Sequence, residues 1–309
     1  MDVKAARAES GGAEPGAAAS GEGAALMVLA PRYVAPLLGA RQLGASRAST
    51  SLDLGRSEVE LALAPAGVVL PTGQILAWEV LEGIAGAMAG HLGGRCFVVR
   101  RGGVEEIQVF SEATGRRYSL VATDGAPTML VSGVQMHRTK GIDPWADTLR
   151  KVKAAAPVVG RVLDTATGLG YTAIAAARTA GEVVTVELDP AALEVARLNP
   201  WSRRLFEDPK IRQLVGDSYD VVQTFADRRF DCIIHDPPLF SLAGQLYAGE
   251  FYRQLYRVLR PGGRVGHYIG NPDSASGQRV TKGVVRRLLE AGFKRVVRRP
   301  EAFGVVAYK

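Results

Sequence analysis

The chain is 309 residues long, 47% hydrophobic and 22% charged, with a formal net charge of +7. That composition excludes a disordered or fibrous chain and allows a sizeable core divided between two domains. Its two cysteines, Cys96 and Cys232, lie in separate apolar runs, which excludes a disulfide framework and reads as buried reduced thiols of a cytoplasmic protein.

Residues 1–25 are mostly Ala, Gly, Ser and Glu, with almost no large apolar side chain. They are expected to form a disordered tail, because so little apolar surface cannot offset the entropy of ordering. No basic segment there leads into an apolar stretch, so no signal peptide is expected. No later run reaches the length of a membrane span. The positive balance suits a polyanion such as RNA, but the Lys and Arg are dispersed apart from Lys294, Arg295, Arg298 and Arg299.

Residues 26–135 read as a small β-rich N-terminal domain. "EVELALAP", "CFVVRR", "VEEIQVF", "RRYSLVAT" and "TMLVSGVQM" are strand-like and separated by Gly, Asp or Pro turns. "QILAWEVLEGIAGAMAG" has helical apolar spacing and predicts the one helix of this region. From about residue 142 strands and helices alternate, so residues 136–309 predict an α/β domain with a mostly parallel sheet covered on both faces.

That second part holds the informative residues. "GRVLDTATGLGYTAIAAARTA" predicts a strand ending at Asp164, a turn with Gly168 and Gly170, and a helix opened by Tyr171. "EVVTVELDP" predicts a second strand with Glu187 near its end, 23 residues after Asp164. Glycines let a ligand approach the turn, and an acid on the second strand accepts from ribose hydroxyls. The dinucleotide fingerprint is absent, since no third glycine follows Gly170. An acid ahead of the glycines suits a cationic amino group rather than a pyrophosphate. S-adenosylmethionine has an amino group, a sulfonium and a ribose, and no phosphate. "IRQLVGDSYDVV" ends a third strand before Asp217, placed for an adenine amino group, and "FDCIIHDPP" ends a fourth at Asp236.

Residues from about 158 to 309 therefore resemble a class I S-adenosylmethionine-dependent methyltransferase. "VLDTATGLG" matches the glycine motif with Ala166 in place of its first glycine, and "LRPGGR" matches the turn before the fifth strand. The resemblance implies a Rossmann-like, mostly parallel seven-stranded sheet. It also implies S-adenosylmethionine held by Asp164, Ala166, Gly168, Gly170, Tyr171, Glu187 and Asp217. "MHR", "TGLGYTA", "NPWS", "HDPP" and "HYIGNP", across roughly residues 130 to 300, resemble an archaeal-type family of methyltransferases without an established substrate. In methyltransferases acting on exocyclic or amide nitrogen, an Asp or Asn followed by Pro-Pro and an aromatic holds the target NH2. This assigns Asp236, Pro237 and Pro238 as catalytic, with His235, Phe240 and His137 on the substrate side. Leu239 departs from the pattern, with Phe240 one position late. Arg138 is expected at the cofactor's carboxylate. "LVSGVQM" and "LYAGEFYRQL" are similar to spermidine-synthase-like aminopropyltransferases, which makes aminopropyl transfer the alternative, and a non-catalytic cofactor-binding protein a third reading. The acceptor is expected among RNA, protein side chains and small amines. No metal site is expected, and a homo-oligomer is left open.

Overall fold

The computed structural model describes residues 26–88, 93–240, 242–271 and 274–309; the expected tail, residues 1–25, lies outside them. Seven strands form the large sheet: β1 (Arg161–Asp164), β2 (Glu182–Glu187), β3 (Ile211–Val215), β4 (Phe230–His235), β5 (Leu259–Tyr268), β6 (Arg295–Arg299) and β7 (Gly304–Tyr308). Their order is β3-β2-β1-β4-β5-β7-β6, with β7 antiparallel to both of its neighbours. The central strands β1, β2 and β4 are largely apolar and buried because both faces are covered. Val162, Val183 and Cys232 enter one core cluster, and Leu163, Val184 and Ile233 enter another.

Helix α1 (Pro144–Ala154) precedes β1. Helices α2 (Tyr171–Ala176), α3 (Pro190–Arg197), α4 (Ser218–Val221), α5 (Gly249–Val258) and α6 (Ala275–Glu290) connect the strands. β1 pairs in parallel with β2 and β4, Asp164 lying opposite Thr185 and Ile234. Strand order reverses beside β1, so the carboxyl ends of β1, β2 and β4 frame the crevice in which such sheets bind ligands.

Residues 28–135 form three small antiparallel sheets. Among the described residues two helices accompany them, Pro31–Gln42 and Trp78–Ala85, rather than the single one expected. The first was hidden by Pro36 and Gly39, which break helical propensity. It forms because Pro31, Val34 and Leu37 are buried on one side. The second is shorter than its apolar spacing predicts, since Ile75–Ala77 pairs as a strand with Gly67–Val69.

One core cluster runs from Val28, Val98, Leu120 and Met129 into Val162, Tyr171 and Ile234, so the N-terminal sheets share a core with the large one. Asp189, at the start of α3, accepts from Thr114 Oγ1 at 2.6 Å and from the Tyr118 hydroxyl at 2.8 Å across the same boundary. Cys96 and Cys232 are free and buried. Burial pushes both thiols up, Cys232 to about 12, so neither is a nucleophile at neutral pH. Among the described residues no helix is long and apolar enough to cross a membrane.

Candidate active site

The loop after β1 is pinned from three directions. The Thr165 amide donates to the Ile234 carbonyl (3.1 Å) and the Thr167 amide to the Val186 carbonyl (2.9 Å), so the turn copies the spacing of β4 and β2. The Gly168 amide donates to Glu187 Oε2 at 2.8 Å, while Oε1 accepts from the Asp189 amide at 3.2 Å. Burial raises the Glu187 carboxyl, and those amides pull it back. Gly168 has φ +51, and a Cβ there would meet only Met129 Cε, at 4.0 Å. The glycine thus leaves space where a side chain would stand.

Around this turn lies a cleft of about 140 Å³. Ala166, Gly168, Tyr171, Glu187, Asp217 and Asp236 line it, and Arg116, Tyr118, Met129 and Val131 close it from the N-terminal sheet. Asp217 caps α4 by accepting from the Tyr219 amide at 2.8 Å through Oδ1, which leaves Oδ2 for a ligand. Two acids at successive strand ends, beside an open glycine turn, fit the ribose and adenine of a nucleoside. S-adenosylmethionine meets that description.

A second cavity, of about 1200 Å³, adjoins the first. Met136, His137, Pro237 and Pro238 line both. At this junction Asp236 Oδ2 accepts from Lys151 Nζ at 2.7 Å. Lys151 also lies 3.3 Å from Asp147 Oδ2, and Asp147 Oδ1 accepts from Arg138 at 2.7 Å. Asp143 makes this possible by capping α1: its side chain accepts from the Trp145 and Ala146 amides, at 2.9 and 3.2 Å. Asp147, Thr148 and Lys151 then share the buried face of α1. Burial alone would pull the Lys151 ammonium down, but Asp236 and then Asp147 hold its pKa above the usual value. The Lys151 ammonium also sits 3.9 Å from the Tyr268 ring centroid.

An uncharacterized protein of Methanocaldococcus jannaschii, MJ1233, is 49% identical over 210 residues, which cover 67% of this chain and 72% of that one. This chain belongs to that protein's family. Its residues 162–263 match the family model described as a methyltransferase domain, and the domain is a class I, S-adenosylmethionine-dependent one. A polyamine aminopropyltransferase of Aeropyrum pernix is 30% identical over 133 residues, 41% of this chain and 40% of that one. A solved spermidine synthase, in complex with the transition state analogue AdoDATO, superposes with a TM-score of 0.54 at 19% identity, over 65% of this chain and 71% of that one. That likeness shows the shared fold.

Several residues stand elsewhere than the sequence places them. Asp164 is not a wall of the cleft. It is buried beneath the turn, where Oδ2 accepts from Thr185 (2.8 Å) and Thr172 (3.0 Å) and Oδ1 lacks a partner of full hydrogen-bond geometry. Gly170 does not line the cleft either. Its Cβ position lies 2.6 Å from Leu205 Cδ2, so this glycine serves packing. His235 is 0% exposed, with Nδ1 2.7 Å from Thr165 Oγ1 and Nε2 2.9 Å from the Leu246 carbonyl, and lines neither cavity. Phe240 is 53% exposed, lies edge-on to Tyr247 and lines neither cavity. Arg138 is paired to Asp147 and lines the larger cavity, not the cleft.

His137 does line both cavities, with Nδ1 3.1 Å from Thr128 Oγ1. Burial, with Lys151 nearby, pushes its pKa down to about 3, so the ring is neutral. Tyr171 lines the cleft and is fixed by its hydroxyl, which donates to the Pro127 carbonyl and accepts from Asn199, both at 3.0 Å. Trp201 packs, donating to the Leu54 carbonyl at 3.0 Å. Sequence reasoning missed Lys151 and Asp147 altogether. Their only local signal is an i,i+4 acid–base pair, which ordinarily marks an exposed helix face.

The two glycines separate by substitution. Gly170→Ala should cost about 2 kcal/mol of stability, the range for overpacking, with cofactor affinity retained. Gly168→Ala should weaken S-adenosylhomocysteine binding more than it lowers the melting temperature, because its methyl enters the cleft. Thermal melts and calorimetry on both variants provide the check.

Asp164 carries a pH dependence. Burial raises its carboxyl from 3.8 to about 7, opposed by Thr185, Thr172 and the Ala166 backbone and reinforced by Asp236. The folded state holds the proton more tightly than the unfolded one. Its contribution to stability is therefore complete below pH 3.8 and is lost as pH rises through about 7. Asp164→Asn should remove this slope, gaining on the wild type from about pH 4 to 7 in a series of denaturant midpoints.

Proposed function

We propose that this chain transfers the methyl group of S-adenosylmethionine to an acceptor nitrogen that enters through the larger cavity. One observation carries the reading: Asp236-Pro237-Pro238 leaves β4 where the cofactor cleft meets that cavity. The bound cofactor supplies an electrophilic methyl, which the nitrogen lone pair takes as the carbon–sulfur bond breaks toward sulfur. Asp236 accepts an N–H of the acceptor and so aims the lone pair. Pro237 and Pro238 fix the backbone path, since their φ angles are set by the ring. The Tyr247 hydroxyl, donating to the Pro238 carbonyl at 3.1 Å, holds the loop from behind. Met136, His137 and Tyr171 screen the cleft from water, which would otherwise weaken every polar contact inside it. The proton shed by the nitrogen leaves through the open larger cavity.

RNA, a protein side chain or a small amine carries that nitrogen. The likeness to aminopropyltransferases supports a second reading, aminopropyl transfer from the decarboxylated cofactor. Incubation with labelled S-adenosylmethionine, or separately with its labelled decarboxylated form, against total RNA, protein and metabolites tests both. Mass spectrometry should find a methylated nitrogen from the first cofactor. An aminopropylated product from the second alone would replace this reading with the other.

A further inference from the structure

We infer that Lys151 is a positioning residue that selects the acceptor class: by neutralising Asp236 it admits an uncharged nitrogen and turns away cationic amines. The inference rests on the methyl-transfer reading and concerns the same site.

The geometry is a closed chain of charge. Arg138, Asp147, Lys151 and Asp236 are linked at 2.7, 3.3 and 2.7 Å in turn, two cations against two carboxylates. The Asp147 and Lys151 side chains are only 3% and 7% exposed, and that of Asp236 is 18% exposed. Water therefore screens these contacts weakly, and the group presents no net charge at the transfer point. Oδ2 of Asp236 is held by Lys151, which leaves Oδ1 to accept an N–H. An amide or a ring-bound amino group needs only that acceptor. A protonated alkylamine needs a net negative partner to offset the loss of its hydration.

Among the described residues that line the two cavities no other carboxylate supplies one, and Asp164, whose charge is felt at Asp236, lies buried beneath the turn. Glu187 and Asp217 face the nucleoside end of the cleft. In the larger cavity, Asp143 is engaged as the cap of α1, and Asp124 lies 3.4 Å from Arg32 on an exposed surface. Arg138 and Lys140 line the same cavity and add positive charge. A cationic amine would also approach the sulfonium of the cofactor, a like charge.

Calorimetric titration of 1,4-diaminobutane tests this, with and without saturating S-adenosylhomocysteine. The proteins are the wild type, Lys151→Met, Lys151→Arg and the double variant Lys151→Met/Asp236→Asn. The wild type and Lys151→Arg should bind the diamine weakly or not at all. Lys151→Met, which frees the carboxylate, should bind it at least about 10-fold more tightly. The double variant, neutral again, should lose that gain. A purely structural role for Lys151 predicts no gain in any variant. Diamine binding by the wild type as tight as by Lys151→Met overturns the inference, as does a Lys151→Met protein that still binds S-adenosylhomocysteine but gains nothing. If Lys151→Met does not fold, the wild type and Asp236→Asn decide: binding in the first that the second abolishes overturns the inference, and its absence from both supports it. A wild type that fails to bind S-adenosylhomocysteine counts against methyl transfer itself, whatever the diamine does.

Discussion

Asp236→Ala is expected to cut the single-turnover rate of methyl transfer about 100-fold or more, the order that follows from misplacing a reacting group by an ångström. Asp236→Asn should keep more of the rate than Asp236→Ala, because its amide oxygen can still accept an N–H, though in competition with Lys151. The affinity for S-adenosylhomocysteine should barely move in either variant, since the proposed nucleoside contacts are Glu187 and Asp217. The contrast between the two variants is the informative quantity. If the acid instead drew a proton from a cationic amine, Asn and Ala would be equally damaging, because only the charge would matter. Lys151 sharpens this expectation: a carboxylate already paired at 2.7 Å orients better than it ionises a neighbour. Single-turnover rates and cofactor dissociation constants, measured together on each variant, separate the cases. Full activity in Asp236→Ala would reduce the motif to a strand terminator.

Replacing Asp147 by asparagine should cost about 3 kcal/mol of folding stability, the lower end of the range for removing one partner from a buried ion pair. Asp147 is the hinge of the charge chain. Its Oδ1 serves Arg138 at 2.7 Å, and its Oδ2 lies 3.3 Å from Lys151. Without that charge Lys151 keeps Asp236, but Arg138, over the face of Phe303 at 3.5 Å, loses its carboxylate. In urea titrations the midpoint should fall while the slope stays constant, as expected for a change in stability alone. Cofactor affinity should be retained, because Asp147 is not part of the cleft wall. A loss below about 1 kcal/mol would mean that the pair behaves like an exposed one, screened by water.

The glycine-turn wall of the cleft was legible in the sequence. Glu187, Asp217 and the open Gly168 each stand at the end of a strand or in its turn, and a βαβ unit sets that spacing through short connections. The N-terminal sheets were legible as strands, but their share in the cleft was not. Nothing local tells that Met129 and Val131, far from the glycine turn in the chain, close over it. Gly168 and Gly170 look alike in sequence and differ only in what faces them, open cleft for one and Leu205 for the other. His235 beside Asp236 looked like a substrate contact, yet the alternation of β4 turns it inward to Thr165 and the Leu246 carbonyl.

By itself the sequence determined the class of sheet, the cofactor and the presence of an acid at the end of β4, because strand periodicity, turn glycines and strand-end acids are short-range features. Only the tertiary structure decided the electrostatic state of that acid. Lys151 stands 85 positions before Asp236, on a helix whose buried face is polar. Helical spacing brought Asp147 and Lys151 onto one side of α1, but the packing of α1 against the sheet brought that side to Asp236. A charge pair made across such a distance depends on where whole elements come to rest, and no local pattern records it.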